Sequence, residues 1–268
     1  DYLAALRTRG ELGPFEPFIE HLRKGCIECE PMSIYWHLGV KSFQRQLAYR
    51  AANLAGLATN IFFGAVYVLI YSALFANREQ VGGLTLSDTI TYAIVAQALM
   101  PTMSAYGNRE LSEAIVKGTI AVDLARPVDF YFYWAALDLG RAVYYFIFRG
   151  LVTFAIGALL FDVQMPNSVG DLLFFLVVVA LGMAVSFAFR FITNCLAFWT
   201  TDARGLLYLT NTFITFFSGF IVPLNFFPPP LAAVANALPF RGLAHLPIQV
   251  YLGKVGAGAL APLILQQL

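Results

Sequence analysis

The sequence predicts an all-α, polytopic membrane protein with six transmembrane helices, the sixth incomplete within these 268 residues. Three observations carry this. Charged residues make up 12% of the chain and hydrophobic ones 59%, whereas soluble domains carry about 25% charge. The charges are not scattered but bracket long ionisation-free intervals, each near or above the roughly 20 residues that a bilayer-crossing helix needs. The formal net charge is +1 with three histidines, which argues against a nucleic-acid binder.

Three domains are expected: a polar extension over 1–32, an amphipathic interfacial helix over 33–50, and a transmembrane domain over 51–268. In the extension, His21, Cys26 and Cys29, joined by His37, have the chemistry of four zinc ligands. Their spacing matches no strong zinc pattern, so the expectation is free thiols and no metal. Within Ser33–Arg50, Trp36, Val40, Phe43 and Leu47 recur at helical spacing, with Lys41, Gln44 and Arg45 on other faces. This reads as a basic helix lying along the membrane surface.

The first span falls between Arg50 and Arg78, ending near Phe75-Ala76-Asn77. Along it Ala52, Gly56, Asn60 and Gly64 repeat every four residues, a stripe that lets another helix approach closely. The second runs from Asp88 to Arg109 around Pro101, tolerable where packed neighbours accept the freed carbonyl. The third, Phe130–Phe161, exceeds one perpendicular crossing and projects from one face. It carries Asp138, Arg141 and Arg149, with Asp138 and Arg141 paired at i,i+3. The fourth runs from Asp171 to about Thr200, broken by Arg190. Arg141 and Arg190 lie near the boundary and are expected to snorkel, whereas Arg149 lies near mid-membrane and is either pathway-lining or structurally paired. The fifth covers about Leu206–Val222, with Asn211, Thr215 and Gly219 at four-residue spacing. Pro230 and Pro239 bracket a short helix, Leu231–Leu238, dipping back toward the membrane. Val255–Leu268 opens the sixth span.

Lys and Arg are concentrated before the first span, between the second and third (Arg109, Lys117, Arg126) and at Arg204, which places the N-terminus in the cytoplasm. Glu110, Leu111, Glu113, Ile115 and Lys117 form a short amphipathic cytoplasmic helix ended by Gly118, a place where a cytoplasmic motor can grip. The chain carries no phosphate-loop, zinc-protease or nucleophile-elbow motif, so it is not read as an enzyme.

Several segments in series resemble the permeases of type-2 ATP-binding-cassette (ABC) transporters, in particular a bacterial exporter-like branch. They are Ser42–Arg50, Ile115–Ile120 with Leu124-Ala125-Arg126-Pro127-Val128, Ala197-Phe198-Trp199-Thr200, Ser218-Gly219 to Pro223-Leu224 with Phe227-Pro228, and Leu238-Pro239-Phe240. The resemblance implies a multi-pass protein of the bacterial inner membrane that dimerises with itself or a similar permease on two cytoplasmic ABC ATPase subunits, which bind ATP and Mg. Coupling to the ATPase falls on Ser33–Arg50 and Arg109–Gly118, with Lys41, Arg45, Glu110, Glu113 and Lys117 as its residues. An outer helical hairpin falls on Pro223–Tyr251. The substrate pathway is expected at Gln97, Arg149, Asn211 and Thr215, in a cleft lined by the second and fifth spans. An ion-coupled secondary transporter is the alternative and requires a mid-membrane carboxylate, to which only Asp138 comes close.

Overall fold

The computed structural model describes residues 31–103, 109–166, 168–200 and 203–255. His21, Cys26, Cys29 and the sixth span therefore lie outside the described residues. Helices α1 (Pro31–Ala48) and α2 (Arg50–Leu74) are separated only by Tyr49. Then come α3 (Leu86–Met103), the short α4 (Glu110–Val116) and α5 (Ile120–Leu124), and α6 (Phe130–Tyr145), which passes through a π-helical turn at Phe146–Leu151 into α7 (Val152–Leu160). The rest is α8 (Val169–Cys195), α9 (Arg204–Phe217), α10 (Pro229–Ala237) and α11 (His245–Tyr251).

The starts of these helices are written locally. Thr85 and Asp88 cap α3 reciprocally, each side chain accepting from the other's backbone N–H at 3.2 and 3.0 Å. Such a box satisfies two of the orphan donors at a helix N-terminus. Asp129 accepts from Phe132 N at the start of α6, and Ser168 from Asp171 N at the start of α8, in the usual manner of Asp and Ser caps.

Among the described residues three helices are long and apolar enough to cross a membrane: α2, the continuous Phe130–Leu160, and α8 extended to Phe198. Their outer faces expose Leu54, Phe62 and Leu69 on α2, Leu159 on α7, and Leu173 and Val177 on α8, surface that suits hydrocarbon rather than water. Helix α3 is buried along nearly its whole length and runs antiparallel to α2 and α7. Gly64 on α2 faces Ile94 and Gln97, while Gly157 on α7 faces Ile94 so closely that an added Cβ would come within 2.4 Å of it. At 1.5 Å per residue the 18 residues of α3 cover roughly 27 Å, about the hydrocarbon thickness, so α3 traverses the same depth as its neighbours. Helix α9 stops at Phe217, five residues short of the expected Val222, because the chain turns at Gly219, whose φ is +90°.

After that turn the chain re-enters the bundle. Helix α10 opens on Pro229 and Pro230, whose missing N–H groups cost nothing in a first turn. The Pro239–Gly242 turn then reaches Gly182, about halfway along α8, where the Gly242 carbonyl would lie 3.0 Å from an added Cβ. Phe240 packs on Phe189 with centroids 4.8 Å apart. Helix α11 climbs back, ending with the Tyr251 ring against Phe175 and its hydroxyl donating to Gln164 O at 3.0 Å. Leu243, Leu246, Ile248 and Val250 are at most 1% exposed and form the main core with Tyr92, Leu99 and Val179. Non-helical backbone at such depth needs internal partners. His245 N donates to Ser218 O, and the Tyr92 hydroxyl to Gly219 O.

Helix α1 runs parallel to α6, from Tyr35 beside Phe132 to Phe43 beside Tyr144. Gly39, Ser42 and Gln46 meet α6, which leaves Trp36, 71% exposed, and Leu47, 40% exposed, on the outer surface of α1. The reason is close backbone approach. An added Cβ on Gly140 would come within 2.0 Å of Gly39 O, and the Ser42 hydroxyl donates to Leu137 O, so small residues outcompete large apolar ones for the contact.

Candidate functional site

At the α1 end of the bundle, α8 places Ser186, Arg190 and Asn194 four residues apart on one face, all at most 4% exposed. Together they grip three other elements. The Ser186 hydroxyl and Arg190 Nη1 both donate to Met103 O, the last described carbonyl of α3, the latter at 3.0 Å. Arg190 Nη2 pairs with Asp138 Oδ2 on α6. Asn194 Oδ1 accepts from Ser112 N on α4 at 3.1 Å, and its own Nδ2 donates to Arg190 O at 2.8 Å. One polar ladder thus holds the end of α3, the middle of α6 and the buried face of α4.

Asp138 is shared. Its Oδ1 accepts from Arg141 Nη2 at 2.9 Å and from Arg141 Nε at 3.2 Å, while its Oδ2 faces Arg190. Both arginines were expected to snorkel to water. Instead Arg141 is 8% and Arg190 4% exposed, because the Asp138 carboxylate lies between them and Met103 O accepts from Arg190 inside the protein, although Arg190 Nε is buried without a hydrogen-bond partner. One carboxylate between two guanidinium groups leaves a formal charge of +1, and the charge-assisted bonds to Asp138 are of the stronger kind. The i,i+3 pairing of Asp138 with Arg141 was visible in the sequence. The partnership with Arg190, 52 residues away, had no local signal.

Helix α4 closes the site from outside. Leu111 and Ile115 are buried against Ala197 and Ala203, and the helix ends at Lys117 with Gly118 at φ +73°. In its first turn Glu110 pairs with Arg45 of α1 at 2.9 Å. Glu113 pairs with Lys117 at 3.3 Å, both more than half exposed. Lys41 stands on the exposed face of α1. Of the five residues expected to couple to an ATPase, the structure brings Arg45 together with Glu110 and Glu113 together with Lys117. Next to α4 a recess is lined by Arg109, Ser112, Glu113, Lys117 and Arg204.

The expected pathway residues do not share one cleft. Gln97, Asn211 and Thr215 are 4%, 5% and 4% exposed. Gln97 faces α2, where Asn60 Nδ2 donates to its carbonyl at 3.0 Å. Asn211 and Thr215 turn inward to a small cavity lined by Met103, Ser186, Arg190 and Leu243, directly between the ladder and the tip of the re-entrant segment. None of the three lines an open surface, because α3 and α9 spend their polar faces on their own bundle. Arg149 lies apart, against Gly56 and Asn60 of α2. Of the α2 stripe, Gly56, Asn60 and Gly64 meet other helices and Ala52 is exposed. Among the described residues no group of His, Cys, Asp and Glu is placed to hold a metal ion, and His37 is exposed on α1.

The described helices form an all-α, multi-pass membrane bundle in which buried charges join α3, α6 and α8 at one end and a re-entrant segment enters from the other. The model of the ABC-2 family transporter proteins matches residues 61–266, and the chain belongs to that family. It is therefore the membrane permease of an ABC transporter, a class that implies ABC ATPase partners. No curated protein and no solved structure matches the chain.

Proposed function

We propose that this chain is the permease of a bacterial inner-membrane exporter, with its N-terminus in the cytoplasm, working as a pair of permeases on two separate ATPase subunits that bind ATP and Mg. The observation that carries the coupling half of this reading is the double attachment of α4. Its first turn is ion-paired to α1 through Glu110 and Arg45, and its buried face is hydrogen-bonded to α8 through Ser112 and Asn194. A displacement applied to α4 is therefore felt by two other helices, one of which carries Arg190 up to the cavity beneath Leu243.

The ATPase docks on the exposed Glu113 and Lys117, in the recess beside Arg204, and along the Lys41 and Arg45 face of α1. The excess of Lys and Arg at this end supports its assignment to the cytoplasm. The second permease packs on lipid-facing surface that includes Ala52 on α2 and Tyr208, Leu209 and Phe213 on α9, all exposed in the single chain. An ion-coupled mechanism is disfavoured because Asp138, the carboxylate nearest to requirement, is held between two arginines.

The test is co-purification of the tagged permease with a cassette ATPase, followed by transport in proteoliposomes. ATPase capture that is weakened by Glu113→Lys, together with ATP-dependent efflux, is the expected result. Full transport without any ATPase subunit would sink the reading.

A further inference from the structure

We propose that Arg149 and its seat on α2 form an intramembrane binding site for an anionic group, a phosphate or carboxylate borne by an amphiphile. Arg149 projects from the π-helical turn Phe146–Leu151. It lies roughly 16 Å from Leu160 at 1.5 Å per residue, about half the hydrocarbon thickness. Its guanidinium lies flat against α2 at Gly56, where an added Cβ would fall 2.6 Å from Cζ and Nη2 and 2.8 Å from Nη1. Any residue but glycine would displace it. Nη2 donates to Asn60 Oδ1 at 3.0 Å, and the Asn60 amide is itself oriented by donation to Gln97 O. The Tyr145 ring lies 5.4 Å from Cζ.

All of these partners are neutral. Arg141 and Arg190 share Asp138, but among the described residues no carboxylate lies within ion-pairing distance of Arg149. A guanidinium held at this depth is costly unless an anion offsets it, and a positioned arginine is the side chain best suited to phosphate or carboxylate. The seat continues into a polar chain of side chains. Asn53 Nδ2 donates to Gln46 O and to the Tyr144 hydroxyl, both at 2.9 Å, and the Tyr145 hydroxyl donates to Gln46 Oε1. These neutral polar groups lead from the end of α1 toward Arg149, beside the exposed Arg50, Ala52 and Ala55 of α2.

The same chemistry is offered by a resident anionic lipid and by an amphiphilic cargo. As a cargo site it rests on the permease reading; as a lipid site it needs only that the chain lie in a membrane. The test uses the full chain in nanodiscs, without ATPase, so that its outcome is independent of co-purification. Native mass spectrometry reads retention of phosphatidylglycerol against phosphatidylcholine, and a separate titration reads binding of decyl phosphate against decyl maltoside. The expected result is a preference for at least one anionic probe that falls about ten-fold in Arg149→Gln. The preference should also fall in Gly56→Ala, which keeps the charge but fills its seat, and persist in Arg149→Lys. Phosphatidylglycerol retention identifies a lipid site and decyl phosphate binding a cargo site. Equal binding of charged and neutral probes, or an anionic preference unchanged in both Arg149→Gln and Gly56→Ala, would overturn the proposal.

Discussion

At the scale of single residues, the two ends of the buried charge inventory are handled differently. Asp138 carries both Arg141 and Arg190, so its removal strands two guanidinium groups at once. Breaking a buried pair from one side costs about 3–5 kcal/mol, whereas replacing a whole buried set by apolar side chains is often neutral. Asp138→Ala should therefore lower the thermal unfolding midpoint of the detergent-purified chain sharply. The triple variant Asp138→Leu, Arg141→Met, Arg190→Met should recover most of that midpoint and yet fail in transport. If the triple variant transports normally, the cluster is structural only. Reading this cluster from the sequence succeeded where the partner was one helical turn away and failed where it sat on another helix. Arg149 shows the converse: the four-residue repeat of Gly56 and Asn60 marked a contact stripe, but nothing in the spacing said that a guanidinium would fill it.

Among the elements, the seam between α1 and α6 was the least legible in the sequence, for a physical reason. Apolar periodicity weighs side chains by hydrophobic area and is blind to contacts that depend on having almost no side chain. Gly39 and Gly140 bring two backbones together, and Ser42, 2% exposed, is sealed in that seam. Gly140→Ala should pry α1 from α6. A Ser42→Cys reporter, with the native Cys26, Cys29 and Cys195 replaced, should resist maleimide in the parent protein and label readily in the Gly140→Ala background. Equal labelling in both would show that the seam is not what holds α1. The helix limits were far more legible than this packing. Charge-free intervals located α2 and the start of α3 to within a few residues, and charge-poor ones the long Phe130–Leu160 helix and α8, because a charge inside hydrocarbon is costly. Prolines likewise foretold α10. How deeply the following turn descends, to Gly182 and Phe189, depends on gaps between helices that no single segment encodes.

For the molecule as a whole, the two ends of the bundle are tied by different means. At the α1 end the ladder on α8 joins α3, α4 and α6; at the far end Lys254 bridges Asp88 at 2.7 Å and Gly83 O at 3.2 Å, with Gln164 Nε2 on the other Asp88 oxygen. Asn194→Ala deletes the acceptor for the buried Ser112 N–H, a loss of about 1–3 kcal/mol. In the proposed transporter the ATPase should still assemble and hydrolyse ATP, while transport per ATP falls on the order of ten-fold; an unchanged ratio would place the coupling route elsewhere. The helix from Phe130 to Leu160 adds a constraint of another kind. A π-helical turn amounts to an α-helix with one residue inserted, so the segments on either side of Phe146–Leu151 are written in two different frames. The first frame aims Asp138 and Arg141 at α8, and the second aims Gly150 and Gly157 at α3. Deleting a single residue from the turn would merge the frames and swing everything beyond it by about 100°, carrying Gly157 away from Ile94 and driving a side chain into a gap that has room for none. A one-residue change in length there should be worse tolerated than most substitutions, since it rewrites every contact of α7 at once.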